Sequence, residues 1–218
     1  MSDSPLEYNG FEVYWYGHAS VRVADDGFNV AVDPFDAVTP DFEADLILVT
    51  HADEGHYDPG KIEELCNGQT CVVVPESMEE KNIPSRDVEY VREGEKIDVF
   101  GIEIEAVPMY NSHHPRGEGF GYRFVMRGNS FYVAGDTGLT DEARGLEGRV
   151  DVAFLPVEGV YTMDVEDAVK AAVRIKPGLA VPYHYGEPFF DDVDVDIREF
   201  QAELEERNLE PEVLERSG

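Results

Sequence analysis

The stretch Leu46-Ile-Leu-Val-Thr-His-Ala-Asp-Glu-Gly-His-Tyr-Asp-Pro-Gly60 decides how the chain reads. An apolar run closed by Thr50 has the length of a buried strand, and it ends on His51, with His56 following five residues later in a turn. A histidine held at the end of a rigid strand, with a second one close behind, is how a metal ligand set is hung. Pro59 suits the first turn of a helix over 59–66, with Gly68 just beyond its end.

Outward from this stretch the pattern is mostly β. Before it, 11–16, 20–24 and 29–33 alternate or run apolar, with the hairpin signal Asp25-Asp-Gly27 between the last two. After it come strands at 70–74, 88–91, 96–100 and 102–107, a short helix at 76–81, and a hairpin of 121–126 with 130–134 across Arg127-Gly-Asn129. The last third alternates. A strand at 152–155 precedes a helix capped by Asp164, whose apolar positions Val165, Ala168, Val169, Ala172 and Ile175 keep the helical period until Lys176-Pro-Gly178 stops it. A strand at 179–181 and an amphipathic helix at 195–207 complete the pattern. No linker, repeat or low-complexity tract divides residues 1–218, which predicts one α/β domain of two mixed sheets packed together with helices outside.

With 47 acidic against 17 basic residues the net charge is −30, which argues against nonspecific binding to nucleic acid or anionic membranes. Acids spread along the whole chain over an ordinary apolar pattern point to a high-salt cytoplasm, where counterions screen the self-repulsion. Met1-Ser-Asp-Ser-Pro5 carries no basic and apolar leader, so a cytosolic location is expected. Cys66 and Cys71 read as small buried thiols in a reducing compartment in preference to a disulfide, and their spacing is not that of a metal site.

All six histidines lie at or just after predicted strand ends: His18, His51, His56, His113, His114 and His184. Asp136 joins them, ending the run Phe131-Tyr-Val-Ala-Gly-Asp136. His18 taken alone reads as a hydrogen-bonded structural residue; the set reads as loops converging on one sandwich edge. Histidine and aspartate without thiolate suit Zn²⁺, Mn²⁺ or Fe²⁺ and leave a position open for water.

Seven stretches carry a resemblance: Gly17-His-Ala-Ser20, Val32-Asp-Pro-Phe35, Leu48-Val-Thr-His-Ala52 with His56-Tyr-Asp-Pro59, His114-Pro-Arg-Gly117 with Gly121-Tyr122, Ala134-Gly-Asp-Thr-Gly138, Tyr161-Thr-Met-Asp164 and Pro182-Tyr-His-Tyr-Gly186. Over roughly residues 10–190 their order resembles that of the metallo-β-lactamase-fold hydrolases, in the branch of L-ascorbate-6-phosphate lactonase and related metal-dependent hydrolases. The resemblance implies a four-layer αββα sandwich. It puts the family's His-x-His-x-Asp-His motif on His51, Asp53, Gly55 and His56, the third-motif histidine on His114 in preference to His113, the bridging aspartate on Asp136 and the last histidine on His184.

A first metal would then take His51, Asp53 and His114, and a second His56 and His184, with Asp136 between them. One or two Zn²⁺ ions are implied; Asp53 in place of histidine hardens the first site toward Mn²⁺ or Fe²⁺. Gly55 erases a ligand and the carboxylate that would orient the attacking water, implying reduced occupancy of the second. Glu54 either turns in as a substitute or is a surface acid. Asp136 and His184 are placed in the catalytic role. Arg116 and His18 are placed on the substrate side, Arg116 either gripping an anionic group or forming a structural ion pair. Tyr161, Tyr183 and Tyr185 either line the pocket or are buried aromatics with a polar end.

The implied function is hydrolysis of a small ester, lactone or phosphoester by metal-bound hydroxide, with an anionic substrate as one expectation. The alternative is a catalytically degenerate protein of the same fold that binds a metal or an anion. No nucleic-acid or membrane partner is expected, and the oligomeric state is left open. From the charge alone, the melting temperature is expected to rise between dilute buffer and molar salt; a scanning calorimetry series without such a rise would refute salt adaptation.

Overall fold

The computed structural model describes residues 5–190 and 192–217. Its first sheet holds β1 (Leu6–Tyr8), β2 (Phe11–Gly17), β3 (Ser20–Asp25), β4 (Phe28–Val32), β5 (Ala44–Leu48), β6 (Cys66–Pro75) and β7 (Asp87–Val91), in that spatial order. Pairing is antiparallel from β1 to β4 and parallel from β4 to β7. The second sheet holds β8 (Lys96–Val99), β9 (Ile102–Met109), β10 (Gly119–Met126), β11 (Asn129–Val133), β12 (Val152–Pro156) and β13 (Leu179–Tyr183). There β8 to β11 are antiparallel and β11 to β13 parallel. Helix α1 (Pro59–Leu65) covers the outer face of the first sheet, and α2 (Val165–Ile175) and α3 (Ile197–Glu206) cover that of the second. This is the expected αββα sandwich.

Three apolar layers follow from the side-chain alternation of the strands. Leu46 and Leu48 of β5 face the core between the sheets, while Ile47 and Val49 face α1. Val152 and Phe154 of β12 face the inter-sheet core, while Ala153 and Leu155 meet α2. Strands covered on both faces read as continuous apolar runs, which is why their sequences do not alternate. Asp164 caps α2 as expected, accepting from Asp167 N at 2.8 Å.

Local assignments differ in four places, one of them a 3₁₀ helix over Asp141–Leu146 that was not expected. Strand β1 is too short to show a period and was not expected; Leu6 and Tyr8 pack on the inter-sheet core. Asn67 and Gly68 do not stop α1 but lie within β6, which begins at Cys66. A register shift in the β5–β6 pair accommodates them, and Thr70 Oγ1 donates to Ala44 O at 2.6 Å. The expected helix at 76–81 is a single 3₁₀ turn, Glu76–Met78. Both cysteines lie on β6 as free thiols, and burial pushes that of Cys71 up to about 12.

The sheets are tied at one end by hydrogen bonds as well as by packing. Phe120 N donates to Thr50 O at 2.9 Å, and Tyr122 Oη donates to Val49 O at 3.0 Å. This needs β10 to approach the end of β5 closely: a Cβ on Gly119 would lie 2.8 Å from Thr50 O and 2.8 Å from His51 Cβ. Gly119→Val is therefore expected to destabilise the protein by about 1–3 kcal/mol through overpacking, read as a lower urea midpoint.

Candidate metal centre

Every chemistry-bearing loop leaves the C-terminal end of a strand, where ligands gather in open α/β sheets. His18 follows β2, Asp33 follows β4, His51 follows β5, His114 lies between β9 and β10, Asp136 follows β11 and His184 follows β13. The turn after His51 is closed by His56 N and Tyr57 N on Asp53 O, and Asp58 caps α1 behind it through Gly60 N and Lys61 N. That turn aims His51 and His56 at one point, with their ring centroids 4.1 Å apart.

Three overlapping groups of ligand atoms result, each drawn together within 4.8 Å: His51, Asp53 and His114; His51, His56 and Asp136; and His18, His56 and His184. Asp136 lies between the ends of the set. Its Oδ1 is 3.0 Å from His184 Nε2 and 3.3 Å from His56 Nε2, while its Oδ2 is 3.9 Å from His51 Nε2 and 3.8 Å from His114 Nε2. Asp53 Oδ2 is 3.5 Å from His114 Nε2 and 3.8 Å from His51 Nε2, on a side chain 64% exposed.

Two side chains that the sequence reading did not single out as site residues hold the ligands. Asp33 is fully buried; its Oδ1 accepts from Thr50 N at 2.7 Å, and its Oδ2 meets Thr50 Oγ1 at 2.6 Å and His56 Nδ1 at 2.9 Å. A carboxylate on Nδ1 sets the tautomer and leaves Nε2 facing the centre, the arrangement that orients metal-binding histidines. Asn111 Oδ1 accepts from His113 N and His114 N at 2.7 and 2.9 Å, while its Nδ2 donates to Asp136 O at 2.9 Å and Tyr161 O at 2.7 Å. An aspartate ending an apolar strand, and an asparagine two residues before a histidine pair, were the available signals.

The charges of the cluster are uneven. Burial, then the neighbouring His56, holds His51 well below the ordinary histidine range, and burial with His184 and His56 does the same to His18. His56 goes the other way: burial opposes its charge, but Asp136 and Asp33 on its two sides push it up to about 10. Burial likewise opposes the charge of Asp136, yet His184 and His56 keep its carboxyl well below the usual range. His56 thus differs from the other buried imidazoles in lying between two carboxylates, one at each ring nitrogen.

The donor set fits a cation. His18 Nδ1 and Nε2, His51 Nε2, His184 Nδ1 and Asp136 Oδ1 are buried with no hydrogen bond. Leaving such groups unpaired costs about 1–3 kcal/mol each, and a metal accepting one lone pair from each imidazole would remove part of that cost. Imidazole and carboxylate donors without thiolate suit Zn²⁺, Mn²⁺ or Fe²⁺.

The groups open onto a cavity of about 440 Å³ walled by Tyr161, Phe189 and Phe190, with Asp53 and Glu54 also lining it. Arg116 is not in its lining: it pairs with Glu93 and Glu142 and lies over the Tyr110 ring. His113 stacks edge-on against Tyr161, outside the three groups, whereas His114 is inside one. Tyr183 is fully buried, its hydroxyl accepting from Gly135 N, and Tyr185 packs on Trp15. His18 is 3% exposed, packed against His184 and Phe189. A larger groove, about 770 Å³, runs between α2 and α3, but its Lys170, Lys176 and Arg207 are each engaged by a carboxylate.

Residues 12–184 match the model of a family described as the beta-lactamase superfamily domain. A UPF0173 metal-dependent hydrolase from Methanopyrus kandleri is 35% identical over 93% of this chain and 95% of its own. Another from Thermoplasma acidophilum is 34% identical over 88% and 89%. The solved structure of Igni18, a metallo hydrolase from Ignicoccus hospitalis, superposes with a TM-score of 0.81 at 24% identity, covering 95% of this chain and 96% of that one. At that identity the likeness speaks for the fold.

Because Asp33 orients His56, Asp33→Ala is expected to weaken metal affinity about 10- to 100-fold while Thr50→Val, which keeps the carboxylate, has the smaller effect. Competition titration against a chromogenic chelator reads both.

Proposed function

The chain belongs to the beta-lactamase superfamily domain family and, within it, to the UPF0173 metal-dependent hydrolases, and on that premise we propose that it hydrolyses a small ester or lactone, one or two metal ions being held by the histidine and aspartate cluster. The observation that carries this reading is the convergence of imidazole and carboxylate donors, several of them buried without partners, at the floor of one cavity. When bound there, a divalent metal supplies a Lewis acid for the scissile carbonyl and lowers the pKa of water to roughly 7.

The protein's own part is binding and positioning. His51, His114, Asp53 and Asp136 make one end of the ligand set, and His56, His184 and Asp136 the other. Asp33 and Asn111 keep His56 and His114 in place. Phe189 and Phe190 shield the inner side from water and offer apolar surface to the body of a substrate. Among the described residues no lysine or arginine lines the cavity, and Arg116 is held by Glu93 and Glu142. A neutral ester or lactone therefore fits better than a phosphoester, whose charge only the metal would meet.

Gly55 favours a second reading, a protein that holds metal or an anion without turnover, because it leaves the motif without its water-orienting carboxylate. Metal content by mass spectrometry, on protein purified without chelator or nickel affinity, separates these readings when joined to a panel of lactones, carboxylic esters and phosphodiesters assayed in high salt. Bound Zn²⁺ or Mn²⁺ with lactone or ester hydrolysis that is lost to chelation and restored by the metal is expected. Bound metal without turnover would favour the second reading, and no bound metal would overturn the hydrolase reading and leave only anion binding. In the same assay Arg116→Ala is expected to leave KM for neutral substrates unchanged.

A further inference from the structure

The side chain missing at residue 55 leaves a space, and another residue fills it. A Cβ built on Gly55 would lie 2.6 Å from His18 Nε2, 2.8 Å from His18 Cδ2 and 2.9 Å from Phe189 Cε2. The imidazole of His18 therefore stands where a side chain on residue 55 would begin. The backbone at residue 55 is also set against a substituent, with φ at +90°.

His18 is held there from behind. Its backbone adopts the left-handed conformation, φ +46°, as does that of His184, φ +61°, a rare state for non-glycine residues that persists where surrounding structure imposes it. His18 O accepts from Trp15 Nε1 at 2.9 Å and from His184 N at 3.0 Å, which locks the two histidines to each other through the main chain. The ring is packed on His184, centroids 4.1 Å apart, on His56 at 5.0 Å and on Phe189 at 4.5 Å. Both of its nitrogens are buried, and neither has a hydrogen bond among the described residues. An imidazole that served only packing would be an expensive choice in this position, since each buried unpaired nitrogen forgoes its bonds to water.

We propose that His18 is a metal ligand, replacing the donor lost at Gly55 so that the second site is a three-imidazole set of His18, His56 and His184 closed by Asp136. This rests on the metal-dependent reading above and deepens it. It makes the two sites chemically unequal: Asp53 gives the first an extra oxygen, whereas the second is dominated by nitrogen and suits Zn²⁺ over Mn²⁺. It also moves His18 from the substrate side to the metal side, in keeping with its burial behind Phe189 and Phe190.

The test uses the full chain reconstituted with Zn²⁺. Elemental analysis is expected to give two ions in the wild type and one in both His18→Ala and His18→Asn, with the far-ultraviolet circular dichroism and the melting temperature in chelator unchanged. On ¹⁵N-histidine-labelled wild type, the ring-nitrogen resonance of His18 is expected to move on Zn²⁺ addition to the position of a liganded imidazole. That measurement decides the matter even where a variant fails to fold. An unmoved His18 resonance in metal-loaded protein, or two ions retained in the variants, would overturn the His18 assignment and leave the hydrolase reading standing. A wild type that takes up no Zn²⁺ would instead overturn the hydrolase reading and this inference with it.

Discussion

The carboxylate of Asp33 is the constraint on which the site depends. It lies fully buried at the end of β4 and is satisfied by the backbone and hydroxyl of Thr50 and by the Nδ1 side of His56. A buried charge is tolerable only when its lone pairs are met, and here meeting them joins two neighbouring strand ends to the turn that carries His56. The same Thr50 gives its carbonyl to Phe120 N of the other sheet. One short network thus registers both sheets at the edge where the ligands assemble, and a shift in it would move His51 and His56 together.

Around that anchor the protein gathers buried imidazoles whose nitrogens lack partners among the described residues. Burial first, and then the neighbouring imidazoles, disfavour protonation of His18 and His51, while Asp136 lies between His56 and His184. The left-handed backbone at His18 and His184 has the same character: local strain kept at one edge and held by the sheets beneath. In such a cluster the side-chain directions are set in advance by Asp33, Asn111 and the main-chain bond from His184 to His18.

The acidic coat belongs to a different level of organisation. Its carboxylates pair with what few cations there are, as Glu105 does with Arg149 and Glu93 does with Arg116, and these exposed or half-exposed pairs contribute little individually. Their effect on function is indirect. They engage Arg116 at the surface, and the described lining of the cavity has aromatic walls and carboxylates without a lysine or arginine.

Much of this was legible in the chain. Apolar runs ending in histidine or aspartate marked the strand ends, Asp164 marked the start of α2, and the spacing of His51 and His56 marked a turn that presents two ligands, because period and capping are local properties. β1 and the extension of β6 back to Cys66 were not legible, since three residues carry no period and a bulge is decided by the partner strand. The sequence by itself determined which strand ends carry histidine or aspartate and that residue 55 offers no side chain. Only the tertiary structure decided that His18 occupies the space beside Gly55, that Asp33 and Asn111 hold the ligands, and that Arg116 is engaged elsewhere. Those are contacts between residues far apart in the chain, and the packing of two sheets creates them.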